Sequence, residues 1–183
     1  MSKVYIFLAD GFEDIEGLTV VDLLRRAGIE TVTVSIKEEK TVTTSHAVTL
    51  QTDALFSGMD FSDADMLVLP GGMPGTNYLR DCEPLSELLK AHYGDGKWVA
   101  AICAAPTVFS GLGFLKGRRA TSYPSRIEEL DCKEKCTDSV VIDGNVITSR
   151  GMGTAMDFGL TIIEVLDSAE KADQIAASIV YNR

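Results

Sequence analysis

One cysteine lies where a buried strand is predicted to turn sharply into a helix. The segment Trp98–Ser110 is apolar, with Cys103 near its centre and small residues on both sides. Residues 99–102 suit a strand covered on both faces, and residues 104–110 return to helical spacing, so Cys103 falls at the corner. The free N–H groups and positive dipole end of the next helix favour a thiolate there. The sequence therefore offers a nucleophile, with a buried structural cysteine as the alternative.

Three acidic residues follow the first predicted strand. Glu13, Asp14 and Glu16 suit the positive end of a helix, so capping is the simple explanation for each. Glu16 lies deeper in the helix, on the same side as Val20, and the apolar pattern directs this face towards the sheet. A carboxyl group buried there has a raised pKa, so it can stay protonated and donate a hydrogen bond to a thiolate or transfer protons.

Three further segments offer candidate binding groups. Gly71 and Gly72 follow a predicted buried strand and suggest a close approach to a ligand or to another segment. Arg150 precedes a glycine-rich helix start that can hold an anion, with a surface salt bridge as the alternative. Tyr123 ends a predicted strand and lines the site or fills the core.

The two histidines give little support for a cysteine–histidine hydrolase. His46 lies near the bend of a hairpin predicted over residues 41–50 and reaches the site only if the hairpin folds over it. His92 belongs to a predicted helix on the far side of a neighbouring strand. Ala104, not histidine, follows Cys103, so the residues disfavour a Cys–His triad.

Elements that alternate along the chain must position these groups. Apolar strands alternate with amphipathic helices, which predicts an α/β fold with a mainly parallel central sheet covered on both faces. Ligand sites in such sheets lie at the carboxyl ends of the strands. The loops at residues 10–16, 71–75, 103–105 and 149–154 are therefore expected to share one edge. The sequence also predicts a strand over 120–123 and two further helices. One helix spans 84–93 and is capped by Asp81 or Glu83, and a short one spans 125–130.

Composition narrows the classes of function. The 183 residues, 45% of them hydrophobic, suit one globular domain over residues 1–183. Neither a signal peptide nor a membrane span is predicted, which indicates a cytoplasmic protein with reduced cysteines. The net charge of −10 disfavours nucleic acids and anionic membranes as partners. Cys132 and Cys136 lack two further ligands for zinc, so no metal site is predicted.

Five segments carry motifs that occur together in one protein family: G-F-E-D-I-E-G-L-T-V-V-D-L-L-R-R-A-G-I (11–29), V-L-P-G-G-M-P-G (68–75), A-A-I-C-A-A-P (100–106), A-T-S-Y-P (120–124) and T-S-R-G-M-G-T-A-M-D-F (148–158). With these motifs the chain resembles the ThiJ/PfpI superfamily over essentially its whole length. The likeness is greatest to the Parkinson-disease protein deglycase branch and its bacterial ThiJ-like relatives. The resemblance implies a flavodoxin-like three-layer sandwich with a nucleophile elbow of the class I glutamine-amidotransferase kind, and it implies a homodimer.

The resemblance also implies roles for individual residues. Cys103 is the expected nucleophile and Glu16 its protonated partner, while the backbone N–H groups of Gly72 and Ala104 form an oxyanion hole. The implied activities are cofactor-independent conversion of methylglyoxal to lactate and repair of glycation adducts. The alternatives are a chaperone or oxidative-stress sensor in which the cysteine becomes a sulfinate, and an amidase, peptidase or thiazole-biosynthesis protein.

Three positions depart from the family pattern. Tyr123 stands where some members have a histidine, and His46 stands where the best-known member has an arginine at the anion pocket. Met152 replaces a proline of the R-G-P-G-T motif, although Arg150 is retained. The expected pocket therefore contains Arg150, Tyr123, His46 and Gly71, with an altered set of anion-binding groups. On the first helix, Val20 and Leu24 are expected to face either a partner or the core.

Overall fold

A mostly parallel sheet lies at the centre of the computed structural model, which describes residues 2–182. The strands are β1 (Lys3–Leu8), β2 (Glu30–Ser35), β3 (Thr41–Thr43), β4 (Thr49–Gln51), β5 (Ala54–Leu55), β6 (Met66–Leu69), β7 (Trp98–Ile102), β8 (Arg119–Ala120), β9 (Glu134–Lys135), β10 (Val140–Asp143) and β11 (Val146–Ser149). Within the described residues, a seven-stranded sheet has the order β10-β11-β7-β6-β1-β2-β5. Among the described strands of this sheet, only β10 runs antiparallel to its neighbour.

Helices cover both faces of this sheet. They are α1 (Asp14–Ala27), α2 (Gly75–Asp81), α3 (Glu83–Gly94), α4 (Pro106–Gly111), α5 (Ala155–Leu166) and α6 (Ala169–Ser178), with 3-10 turns at Ile127–Glu129 and Met152–Thr154. Helices α1, α5 and α6 contribute to one hydrophobic core, and α2, α3 and α4 contribute to the other. The architecture is the expected three-layer α/β sandwich. None of the helices in the described part of the chain is long and apolar enough to cross a bilayer.

Strand β1 shows why helices must cover both faces of the sheet. Side chains alternate between the two faces of a strand, and β1 is apolar at nearly every position. Val4, Ile6 and Leu8 enter the core formed with α1, while Tyr5 and Phe7 enter the opposite core. A strand buried on both faces is typical of a parallel sheet covered by helices, so the apolar runs of the sequence are explained.

Several predicted elements are confirmed. The apolar spacing from Ile15 to Ala27 predicts a helix closed by Gly28. Helix α1 ends at Ala27 and is capped by Gly28, whose φ of 82° is left-handed and whose N–H bonds the carbonyls of Leu24 and Arg25. Strands β3 and β4 form the expected antiparallel hairpin around His46. Val20 and Leu24 are fully buried within the core, so they are not exposed for a partner. The homodimer stays a prediction.

Other predicted elements are wrong in detail. The strand expected over residues 120–123 ends at Ala120 and pairs with β9 in a small separate sheet. The N–H of Thr121 bonds the Thr148 hydroxyl and that of Tyr123 bonds the Cys103 carbonyl, so these N–H groups are not available for strand pairing. The helix expected over 125–130 is only the 3-10 turn.

The start of α3 also differs from the prediction. Helix α2 was not predicted, and it carries Asp81 in its last turn. There the Asp81 carboxylate pairs with Arg80 instead of capping α3. Helix α3 begins after Cys82 without a hydrogen bond from a capping side chain, so neither Asp81 nor Glu83 caps it.

Candidate active site

Cys103 occupies a sharp turn between β7 and α4. Its backbone φ of 64° is left-handed, a conformation that residues other than glycine rarely adopt. The Cys103 N–H bonds the Ser149 carbonyl at 3.0 Å. The Cys103 carbonyl accepts hydrogen bonds from the Ser122 hydroxyl at 2.7 Å and the Tyr123 N–H at 2.8 Å. Neighbouring segments therefore hold the turn in place, as the predicted elbow requires.

Glu16 faces the cysteine from the first turn of α1 and is only 2% exposed. Its carboxyl group contacts the thiol and accepts hydrogen bonds from the backbone N–H groups of Gly71, at 3.0 Å, and Met152. Burial raises the pKa of Glu16 to about 7, and the nearby charge of Glu13 contributes to the rise. The predicted buried carboxyl group is therefore present beside Cys103.

The thiol does not ionise as easily as the helix end suggests. Burial, and then the charge of Glu16 and its hydrogen bond, raise the pKa of Cys103 to about 12. The N–H groups of Gly72 and Ala104 act in the opposite direction, but they are outweighed. At Cys103, desolvation therefore outweighs the effect of the helix start. A proton on Glu16 removes its charge and favours the thiolate, so the two groups titrate as a pair.

Gly71 lets Glu16 and Cys103 approach each other. A Cβ atom at this position would lie 2.5 Å from Cys103 Cβ, 2.6 Å from Glu16 Oε2 and 2.9 Å from the Ile102 carbonyl oxygen. Gly72 has a φ of 91°, and a Cβ atom there would collide with the Glu13 backbone nitrogen. The predicted close approach is therefore confirmed, and its partners are the backbone and the two reactive side chains.

We expect Gly71→Ala to separate the thiol from the carboxyl group. The added methyl overpacks the site, which typically costs about 1–3 kcal/mol of stability. Thermal unfolding should show this loss, and turnover of an aldehyde substrate should fall even below the unfolding temperature. Gly94→Ala is the matched control, because a Cβ there meets nothing within 4 Å. Unchanged stability and turnover in Gly71→Ala would contradict the close approach.

An open cleft of about 520 Å³ leads to the cysteine. Of the four residues expected in the pocket, Tyr123, His46 and Arg150 line the cleft and Gly71 does not, because Gly71 lies beneath it between Cys103 and Glu16. Tyr123 is 48% exposed and is therefore not a core residue. The full set of lining residues is Glu13, Glu16, His46, Cys103, Tyr123, Pro124, Arg150, Gly151, Met152, Gly153 and Thr154.

Arg150 lines this cleft, and among the described residues it does not form the surface salt bridge that was the alternative role for it. Its Nη1 donates to the Thr137 carbonyl at 3.1 Å. Its Nε is buried and has no hydrogen-bond partner within the described chain. A buried guanidinium donor without a partner is a suitable contact for an anionic or carbonyl oxygen of a ligand.

His46 reaches the mouth of the cleft but pairs with carboxylates. Its Nδ1 lies 2.8 Å from Asp14 Oδ2, and this contact raises the pKa of the imidazole. His92 is distant, since its Nε2 bonds the Trp98 carbonyl at the opposite end of β7. The Cys103 thiol therefore contacts the Glu16 carboxyl group, and the imidazole of His46 contacts the Asp14 carboxylate.

Two hydroxyl side chains at the site were not singled out from the sequence. Ser122 supports the cysteine turn, and Thr154 Oγ1 accepts a hydrogen bond from the Gly151 N–H at 3.1 Å. Ser122 lies in the motif A-T-S-Y-P and Thr154 in the motif T-S-R-G-M-G-T, so their places in these motifs could have identified them as site residues.

The fold and site together define a flavodoxin-like α/β protein with a cysteine on a strand–helix elbow against a buried carboxyl group. Residues 2–165 match the DJ-1/PfpI family. The chain belongs to this family, which confirms the resemblance seen in its motifs.

Named relatives agree with this assignment. The chain is 38% identical over 180 residues to protein DJ-1 homolog B of Arabidopsis thaliana, covering 97% of this chain but only 41% of that protein. It is 32% identical to the glutathione-independent glyoxalase DJR-1.2 of Caenorhabditis elegans, over 95% of this chain and 93% of that protein. The solved structure of oxidized Toxoplasma gondii DJ-1 superposes with a TM-score of 0.96 at 36% identity, covering 100% of both chains.

Proposed function

We propose that this protein converts small α-oxoaldehydes, with methylglyoxal as the prototype, into hydroxy acids without an organic cofactor. The observation that carries the proposal is the contact between the Cys103 thiol and the buried Glu16 carboxyl group at the end of an open cleft. A relative that covers nearly the same length is named a glutathione-independent glyoxalase. Glycation adducts of the same aldehydes are the second substrate class.

The first step is addition of the Cys103 sulfur to the aldehyde carbon, which gives a hemithioacetal. The thiol proton passes to the Glu16 carboxylate as the sulfur–carbon bond forms. Glu16 then delivers this proton to the former carbonyl oxygen, which gives a neutral hemithioacetal and leaves Glu16 as a carboxylate for the next step. Gly72 and Ala104 have backbone N–H groups that point at the sulfur, so they are placed to stabilise charge on the adduct. This step uses the one proton that the pair shares.

The next step moves hydrogen between the two substrate carbons. Glu16 removes the proton from the former aldehyde carbon and returns one to the adjacent carbon through an enediol, leaving a thioester. Water then cleaves the thioester to the hydroxy acid and frees the thiol. The overall change is addition of one water to the oxoaldehyde, so no external oxidant or reductant is needed.

A second candidate function is redox sensing or chaperone action through oxidation of Cys103 to a sulfinate. Peroxide supplies the oxidant, and the N–H groups of Gly72 and Ala104 are suited to hold sulfinate oxygens. The likeness to a protein solved in an oxidized form favours this candidate over other non-enzymatic roles. An amidase or peptidase has less support, because His46 pairs with Asp14.

A panel of α-oxoaldehydes and glycated amino acids tests the proposal, with the products identified by NMR and the lactate enantiomer by chiral chromatography. Turnover of methylglyoxal to one enantiomer is the expected result, and no turnover of any member would overturn the proposal. Mass spectrometry of the same protein after mild peroxide tests the second candidate. It fails if Cys82, Cys132 or Cys136 oxidises before Cys103.

A further inference from the structure

Three potential metal ligands converge beside the cleft from two different elements. Glu13 and Asp14 stand at the start of α1, and His46 stands in the turn between β3 and β4. One ligand atom from each of these side chains lies within 4.8 Å of the others. His46 Nδ1 is 2.8 Å from Asp14 Oδ2 and 4.0 Å from Glu13 Oε1.

Residues outside this trio orient both carboxylates. Glu13 Oε2 accepts the Glu16 N–H at 2.9 Å, and Asp14 Oδ1 accepts the Thr44 hydroxyl at 2.6 Å. The remaining oxygens of Glu13 and Asp14 are the ones near the imidazole. Each carboxylate side chain is only 13% exposed. Metal ligands in proteins are oriented by hydrogen bonds of this kind.

Backbone contacts hold the hairpin against the start of α1. The Gly11 N–H bonds the Thr43 carbonyl at 2.7 Å, and the Ser45 N–H bonds the Phe12 carbonyl at 2.8 Å. His46 follows Ser45 directly, so its position relative to the carboxylates is fixed by main-chain bonds. These bonds fix the backbone of the hairpin bend against α1, while the His46 side chain is itself 70% exposed and contacts Asp14.

We propose that Glu13, Asp14 and His46 bind a divalent transition-metal ion of the Zn²⁺ type. Zinc–ligand bonds of about 2.0–2.2 Å in a tetrahedron separate the ligand atoms by about 3.3–3.6 Å. The observed Nδ1–oxygen separations of 2.8 and 4.0 Å lie on either side of this range, so sub-ångström shifts are enough. Two carboxylates and a neutral imidazole balance the charge of the ion, and water completes the fourth position.

The position of this site predicts what the ion does. Glu13 and His46 line the cleft that leads to Cys103, so a bound ion narrows its mouth. The ion therefore inhibits the cysteine chemistry, a consequence that depends on the proposed function. Binding itself does not depend on it.

The test measures Zn²⁺ binding by equilibrium dialysis on the full chain carrying Cys103→Ala and Cys132→Ser, because thiols bind zinc themselves. We expect one tightly bound Zn²⁺ per chain, with Co²⁺ giving a tetrahedral visible spectrum that lacks thiolate bands. His46→Ala and Asp14→Asn in this background should each weaken binding by at least about 10-fold, the lower end for loss of a supporting group. Asp22→Asn, an exposed acid on the same helix, is the matched control and should bind normally.

Two results would overturn the metal site. One is the absence of Zn²⁺ binding at micromolar concentrations, and the other is binding that His46→Ala and Asp14→Asn leave unchanged while circular dichroism shows a native fold. The dialysis uses a chain without the proposed nucleophile, so its outcome is independent of aldehyde turnover. Failure of the metal site and failure of the enzyme proposal are therefore distinguishable.

Discussion

Replacement of Cys103 by alanine is expected to lower methylglyoxal turnover at least about 1,000-fold, because the covalent route to the hydroxy acid disappears. Alanine keeps a Cβ atom at the turn, so the elbow and its backbone hydrogen bonds should remain. The measurement is the loss of methylglyoxal and the appearance of lactate under saturating substrate. Thermal unfolding of the same sample shows whether the variant is folded.

Cys82→Ala is the matched control for this experiment. Cys82 is a partly buried cysteine between α2 and α3, and it does not line the cleft that leads to Cys103. We expect it to retain normal turnover. Normal turnover by a folded Cys103→Ala protein would show that another group carries the reaction, and the covalent mechanism would be abandoned.

Glu16→Gln is expected to reduce kcat about 100- to 10,000-fold, the usual contribution of a general acid–base group. Glutamine has nearly the same shape and can still hydrogen-bond, but it cannot remove the proton from the substrate carbon. Glu87→Gln changes an exposed acid on α3 and should have no effect on turnover. A folded Glu16→Gln enzyme with wild-type kcat would exclude the proton-transfer role.

The pH profile distinguishes Glu16 from a residue that merely packs against the sulfur. The reactive state carries one proton on the Glu16–Cys103 pair, and the first proton leaves with the Glu16 pKa of about 7. The value of kcat/KM should therefore rise as pH increases through about 7. In Glu16→Gln this step should vanish and be replaced by ionisation of the desolvated thiol at higher pH.

Stability gives an independent measure of the same group. The folded-state pKa of Glu16, about 7, lies above its ordinary value of 4.5, so the folded protein binds this proton more tightly than the unfolded chain. The stabilisation from this proton is complete below the unfolded pKa and is lost as pH rises to about 7. The loss is at most about 3 kcal/mol. Glu16→Gln should lack this component of the pH dependence of unfolding.

Much of the fold could be predicted from the sequence because its signals are local. Apolar runs marked the strands of the parallel sheet, and Gly28 marked the end of α1. Short segments with few hydrophobic residues were harder to assign to a strand or a turn. Residues 120–123 have strand-like composition, but Thr121 and Tyr123 give their N–H groups to Thr148 and Cys103 instead of to a neighbouring strand.

The sequence by itself determined the place of Cys103 at a corner, the inward face of Glu16 and the strand ends that meet at one edge, since periodicity and topology fix these features. Only the tertiary structure decided the ionisation of the pair. Burial is a property of the assembled layers, and it outweighs the helix N–H groups at Cys103. Tertiary structure also decided the partner of His46. The position of the β3–β4 hairpin against α1 is set by backbone hydrogen bonds between segments that are remote in sequence. The trio with Glu13 and Asp14 could not be predicted for the same reason.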